Sequence, residues 1–192
     1  MSKKADGSLG DFSVAVSFPA QHKTDTVGMG ISPSGKFIAS CNDKTELIIW
    51  NLKGDILEKL DTVHNLTYCC QVSPCGKFVA TSGFTSDVKV WEVKFSRSGD
   101  FEKVVRAFNL SGHTSGVYSF SFSADSSKVA TVSKDGTWKV FNADIEYTKG
   151  QDASVLISGD YDLDSNKPSK VSISPDGEIN QNNLIFNDKT II

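Results

Sequence analysis

No stretch of the sequence approaches the ~20 consecutive apolar residues that a membrane helix requires, so this chain by itself is expected to insert into no membrane. Positive charge is not in excess: 20 Lys and Arg stand against 23 Asp and Glu, for a net charge of −3. A protein that grips a phosphate backbone needs clustered Lys and Arg. Lys3-Lys4, and Lys94 with Arg97, are short solvated groups, so no nucleic-acid partner is expected. Cysteine is sparse. Cys41, Cys69, Cys70 and Cys75 form no C-x-x-C pair, which excludes the common zinc spacings and favours reduced thiols over a disulfide framework. No Walker loop, dinucleotide fingerprint or G-x-S-x-G turn occurs, so no cofactor is expected. The basic residues after Met1 lead into no apolar segment, and no secretory signal is read there.

What the sequence does contain is a repeat. Ile31-Ser-Pro-Ser-Gly-Lys-Phe-Ile-Ala-Ser40 returns as Val72-Ser-Pro-Cys-Gly-Lys-Phe-Val-Ala-Thr81. It returns again as Phe122-Ser-Ala-Asp-Ser-Ser-Lys-Val-Ala-Thr131, and Ile173-Ser-Pro-Asp-Gly-Glu-Ile179 opens a fourth copy. The serines fall at 32, 73, 123 and 174, spaced by 41, 50 and 51 residues. A large aromatic, Trp50, Trp91 or Phe141, follows each of the first three by 18 residues. Copies of about 40–45 residues, each a series of strands and turns, mark four-stranded propeller blades. The longer spacings come from a polar insertion at Lys94–Lys103 and from loops at 143–150 and 160–170.

Within a copy the pattern has a period of two. In Asp87–Val93, Val88, Val90 and Glu92 share one face, while Lys89, Trp91 and Val93 share the other. Ser-Pro-x-Gly at 32–35 and 73–76 is a turn, because proline presets φ and glycine accepts a positive one. The expected strands are 26–32, 37–41, 46–52 and 56–61, then 66–73, 78–82, 87–93 and 104–110, then 117–123, 129–133, 137–143 and 153–158. Phe12–Phe18 reads as the outer strand of a preceding blade, and no segment reads as helical. The fold class is therefore all-β: an incomplete propeller over 1–192, with blades at about 22–63, 64–111 and 112–159 and partial-blade strands at 11–20 and 171–192.

These residues resemble the WD-repeat family. Gly112-His113 precedes the third copy, and Asp135 stands in Lys134-Asp-Gly-Thr-Trp138, 22 residues after the histidine. The resemblance implies a buried hydrogen-bond chain of histidine, inner-strand Ser or Thr, turn aspartate and strand tryptophan, since buried polar groups need partners. His113, Asp135 and either Thr131 or Ser133 fit, but Phe141 cannot donate, so at most a three-member network is expected in the third blade. The other copies look weaker. Asp43 stands one position early, with Lys44 in the expected place, and the second copy has Phe84-Thr-Ser86 where an aspartate turn would lie. A narrower likeness runs from near Met1 to about Ser158 and is densest over Ser73–Val93, Val104–Phe108, Ser133–Lys139 and Asp144–Tyr147. It is to members with seven blades behind a membrane anchor, regarded as endoplasmic-reticulum scaffolds associated with an ER-stress kinase. That likeness implies a cytosol-facing location at the reticulum and a role in the unfolded protein response. The sequence by itself reads as a soluble cytosolic chain. Seven blades need about 300 residues, so the chain is expected to be an incomplete stretch of such a ring.

Two constellations could carry chemistry. His113, Asp135 and a nearby serine make a triad on paper, but the repeat already gives them a structural task. Asp160-Tyr-Asp-Leu-Asp164 resembles the start of a calcium loop, yet Ser165 and Val171 stand where glycine and glutamate are required, so no metal is expected. Loops on a rigid frame suit binding. Phe84, Lys94, Arg97, Phe101 and Tyr161 are the possible partner contacts, the plainer alternative being that each covers its own blade. The expected function is a non-catalytic protein-interaction scaffold. The alternatives are a fragment without independent function and a hydrolase-type enzyme using the propeller channel.

Overall fold

The structure, a computed structural model, describes residues 13–161, 170–174, 184–186 and 189–190, the last two groups by backbone alone. The described chain is a series of antiparallel sheets taken in sequence order. The first sheet holds β1 (Thr26–Ile31), β2 (Ile38–Asn42), β3 (Glu46–Trp50) and β4 (Ile56–Asp61). The second holds β5 (Thr67–Val72), β6 (Phe78–Gly83), β7 (Val88–Phe95) and β8 (Phe101–Leu110). The third holds β9 (Val117–Phe122), β10 (Lys128–Ser133), β11 (Thr137–Asn142) and β12 (Ser154–Asp160). A smaller sheet follows, of β13 (Val171–Ile173), β14 (Leu184–Phe186) and β15 (Lys189–Thr190).

The recurring serine makes the first turn in each of the first three sheets. Ser32, Ser73 and Ser123 are buried. Ser73 Oγ accepts from the Phe78 amide at 3.0 Å, and Ser123 Oγ accepts from the Lys128 amide at 3.0 Å. Gly35 and Gly76 hold the left-handed position at φ 66° and 72°, and Ser126 takes the same position at φ 62° in the third copy.

The central strands are apolar on both faces, as stacked sheets require. Ala39, Cys41, Leu47 and Ile49 face Cys70, Val79, Trp91 and Val93 of the second sheet. On its other side that sheet sets Ala80, Val88, Val90 and Phe108 against Phe120, Val129 and Phe141 of the third. Trp138 and Val140 meet Val171 and Ile173 of the fourth. First strands lie beside first strands: β1 touches β5, β5 touches β9, and β9 touches β13. Polar ties cross the same seams. Gln71 Nε2 donates to the Phe120 carbonyl at 2.7 Å, and Ser32 Oγ donates to the Gly76 carbonyl at 3.1 Å. The result is an arc of a propeller whose ring is not closed.

Three details depart from the sequence expectations. The Lys94–Lys103 insertion is not a loop but a longer hairpin: Lys94 pairs with Lys103 and Phe95 with Phe101, leaving only Ser96–Asp100 as the turn. Residues 13–20, expected as a strand, join no sheet among the described residues. A strand there needs a preceding sheet to pair with. The segment instead lies on the outer face of the first sheet, with Phe18 edge-on to Trp50 at 5.6 Å. A single 3-10 turn, Tyr147–Lys149, sits in the 143–153 loop where no helix was expected. Its half-buried Tyr147 ring packs on Phe78 and Phe108, at 5.5 and 5.9 Å, which anchors the turn.

Candidate functional site

Strand direction alternates within each sheet, so the loops sort onto two faces. One face carries 43–45, 62–66, 84–87, 111–116 and 134–136. All three histidines of the chain are tied to this face, and each reaches back to a hydroxyl on the second strand of its sheet.

In the third sheet His113 Nδ1 lies 2.9 Å from Asp135 Oδ2, and Nε2 lies 2.8 Å from Thr131 Oγ1. A carboxylate only accepts, so Nδ1–H donates and Nε2 accepts from the Thr131 hydroxyl. Asp135 also accepts from the Thr114 amide and from both the amide and hydroxyl of Thr137. Burial raises the Asp135 pKa, but these bonds outweigh it and pull the carboxyl down to about 2. Burial lowers the His113 pKa against the pull of Asp135, which keeps the ring neutral. Of the two hydroxyls offered by the sequence, Thr131 is in the chain. Ser133 instead donates to the Gly116 carbonyl at 3.0 Å and steadies the loop. Thr137 enters as a further member, and Phe141 packs beside the imidazole at 6.4 Å without donating.

The first sheet holds the fuller chain. Trp50 Nε1 donates to Ser40 Oγ at 2.9 Å, Ser40 Oγ lies 2.8 Å from His22 Nε2, and His22 Nδ1 lies 2.8 Å from Glu46 Oε2. Glu46 stands 24 residues after its histidine, as Thr137 does after His113. Sequence reasoning looked for an aspartate near Lys44 and missed it. The available signal was the hydroxyl: Ser40 and Thr131 each stand 18 residues after a histidine, and Thr81 stands 17 after His64.

The second sheet solves the problem without a carboxylate on the ring. His64 Nε2 is 3.0 Å from the Thr81 carbonyl and 2.9 Å from its hydroxyl, while Nδ1 is 2.5 Å from Thr85 Oγ1. The carbonyl only accepts, so here Nε2 carries the hydrogen and Nδ1 accepts from Thr85. Burial, then the nearby Lys89, lowers the His64 pKa to about 4. Val63, with φ 56°, occupies the left-handed place that Gly112 fills before His113.

The Ser40–His22–Glu46 and Thr131–His113–Asp135 distances are those of a hydrolase triad, but the surroundings are not. Ser40 Oγ already accepts the Trp50 N–H, and Thr131 is closed from solvent, with its hydroxyl 3.2 Å from the Lys139 carbonyl. Their bonds serve the sheet. Among the described residues no group of three His, Cys, Asp or Glu side chains is placed to hold a metal, and Asp162 and Asp164 lie outside the described residues. No helix of the described residues is long and apolar enough to cross a membrane.

The five possible partner contacts divide between the faces. Phe84 is 52 % exposed on the histidine face, and its amide donates to the Leu66 carbonyl at 2.8 Å. Tyr161, on the same face, is half-buried and donates its hydroxyl to the Ser133 carbonyl. Lys94, Arg97 and Phe101 lie on the opposite side, in the lengthened hairpin. Phe101 is half-buried against Phe95, which stacks on Phe37, and Lys94 is paired with Glu92 at 3.3 Å, leaving Arg97 exposed in the turn. The structure does not bring the five together. Beside Phe84 it places Leu66, Tyr68 and Tyr118, the two tyrosine rings 6.1 Å apart.

The family described as "WD domain, G-beta repeat" matches at residues 58–92 and 103–142, which run from β4 into β7 and from β8 through β11. Those segments are WD repeats. It is 43% identical over 179 residues to the mouse (Mus musculus) Transducin beta-like protein 2, and 43% identical over 180 residues to the human (Homo sapiens) protein of that name. Each match takes in 93% of this chain and 40% of the relative, so the chain spans about two fifths of the curated relatives it matches. Two solved structures share the fold at a TM-score of 0.60 and 16% identity: the RRP9 WD40 repeats and U3-55K. They match 79% of this chain, which spans 43% of theirs. In each of the first three sheets the histidine ties a loop to a hydroxyl of the second strand.

Proposed function

We propose that this WD-repeat chain is a non-catalytic protein-interaction scaffold that binds through its histidine face, with Phe84 as the anchor. The observation that carries the reading is the exposure of Phe84 on a frame whose neighbours are fixed. Gly83 behind it is so close-packed that an added Cβ would meet the Leu66 carbonyl oxygen at 2.0 Å. A large aromatic held by rigid backbone gains contact area at small entropic cost, the character of an interface hot spot. Leu66, Tyr68 and Tyr118 widen the apolar surface around it.

The likeness to Transducin beta-like protein 2 supports the finer reading, in which the scaffold works at the cytosolic side of the endoplasmic reticulum with an ER-stress kinase as its partner. The test is interferometry of the chain against the purified cytosolic region of such a kinase, with Phe84→Ala alongside. The reading predicts saturable binding that Phe84→Ala weakens at least tenfold. Equal binding by both proteins would remove Phe84 from the interface. No binding at all would remove the kinase.

A further inference from the structure

Cys41 and Cys70 come from different sheets and meet across the seam between them. Cys41 is on β2 and is the register partner of Gly28 on β1. Side chains of an antiparallel pair leave on the same face, with Cα atoms ~4.5–5.5 Å apart. Gly28 has no side chain, and Cys70 of β5 occupies that space: a Cβ on Gly28 would sit 2.9 Å from Cys70 Cβ and 2.8 Å from its amide nitrogen. Cys70 therefore reaches over β1 into the pocket into which Cys41 points. Both residues are buried in one core cluster. The neighbouring Cys41 thiol, followed by burial, holds the Cys70 pKa well above the usual thiol range. The other two cysteines are placed differently. Cys69 faces the third sheet, and Cys75 is exposed in the turn after β5.

We propose that Cys41 and Cys70 are a latent dithiol that hydrogen peroxide oxidises to a disulfide joining the first sheet to the second. One sulfur, as thiolate, attacks a peroxide oxygen, the O–O bond breaks, and a sulfenic acid forms with release of hydroxide. The second sulfur attacks the sulfenic sulfur, the S–S bond forms, and the oxygen leaves as water. Two electrons pass from the sulfurs to the peroxide, and the two thiol protons end in the two waters formed. Both sulfurs are shut off from solvent, so the rate follows opening of the seam between β1 and β5 rather than the reactivity of an exposed thiolate. The disulfide closes a loop through β3 and β4 and ties together covalently two sheets otherwise held by packing and hydrogen bonds.

The test is peptide mapping of the folded chain after treatment with hydrogen peroxide. Cys69→Ser combined with Cys75→Ser leaves Cys41 and Cys70 as the remaining thiols. The protein is denatured, alkylated and digested with trypsin, which puts Cys41 in peptide 37–44 and Cys70 in peptide 60–77. The proposal expects these two peptides to be joined within one molecule, with two hydrogens lost, the link reversed by dithiothreitol. It also expects a higher urea midpoint for the oxidised protein. Alkylation of both cysteines after oxidation, or a link formed only between molecules, would overturn it. Should the double variant not fold, wild-type protein serves, with fragmentation of the linked peptides 37–44 and 60–77 to assign the bond to Cys70; no link, or a link to Cys69 or Cys75, overturns the proposal equally.

Discussion

His64 accepts a hydrogen bond from Thr85 at 2.5 Å through the ring nitrogen that, in His113, donates to Asp135 at 2.9 Å. The two histidines occupy equivalent places in neighbouring sheets and carry their hydrogen on opposite nitrogens. The difference follows from the partner. A carboxylate demands a donor, whereas a hydroxyl can supply one. Lys89, whose Nζ donates to the Val63 carbonyl at 3.1 Å, makes a protonated His64 costly in addition.

Stability should therefore fall on mild acidification. His64 has a pKa of about 4 in the folded chain against its ordinary 6.5, so the unfolded chain takes up the proton first as pH falls. Stability is complete above pH 6.5, declines between there and about 4, and then levels, for a total of ~3 kcal/mol. His113 is shifted in the same direction and adds to the slope. Urea midpoints across this range check it, and His64→Asn should flatten the curve. A wild-type midpoint constant from pH 7 to 4.5 would contradict the neutral assignments.

Asp135→Asn should destabilise the chain by ~2 kcal/mol. The carboxylate accepts from His113, Thr114 and Thr137, and an amide puts a donor where acceptors are needed. Equilibrium unfolding at pH 7 measures it. In acid the wild type loses the same advantage, because stability supplied by a carboxyl held at about 2 disappears as pH drops from 3.8 through that value.

Trp50→Phe should cost ~1 kcal/mol more than a simple ring exchange, since the buried Ser40 hydroxyl then loses its indole donor. Phe141 occupies the corresponding place in the third sheet, so the smaller ring is compatible with the blade. The double-mutant cycle with Ser40→Ala isolates the bond. A coupling near zero would mean that Trp50 acts through packing alone.

Val63→Gly should raise stability by up to ~1 kcal/mol. A β-branched residue at φ 56° is strained, and glycine relieves that strain more than it adds unfolded-state freedom. Thermal unfolding would show a Tm gain of a few degrees. A loss would mean that the exposed Val63 side chain contributes packing that offsets the strain.

A fluorophosphonate should label neither Ser40 nor Thr131. Their bonds to His22 and His113 have triad distances, but each hydroxyl is committed to its own sheet. Intact-mass analysis decides it, and an adduct on Ser40 would reopen the enzymatic reading.

Much of this architecture was legible before any coordinates. The Ser-Pro-x-Gly turns, the aromatic 18 residues on and the alternation in Val88–Val93 all carry local chemistry, and they place the first eleven strands to within a few residues. Legibility failed where the deciding partner was remote or of another residue type. Glu46 replaces an aspartate two positions away, so a search for a fixed letter passes over it. Phe101 looks like a surface aromatic in a polar insertion, and only the pairing of Phe95 with Phe101 turns it inward. Phe12–Phe18 has strand composition, but a strand exists only where a neighbour offers its edge. Neither the thiol pair Cys41–Cys70 nor the division of partner candidates between two faces could be read from spacing, because both depend on how sheets stack.

The stacking of first strands, β1 on β5 on β9 on β13, makes the described residues a linear array in which each sheet packs chiefly on the ones beside it. Damage should then be felt by neighbours and spared to the rest. Hydrogen exchange would find its slowest amides in β6, enclosed by sheets on both sides. A lesion in β3 would loosen the second sheet while leaving the amides of β10 protected.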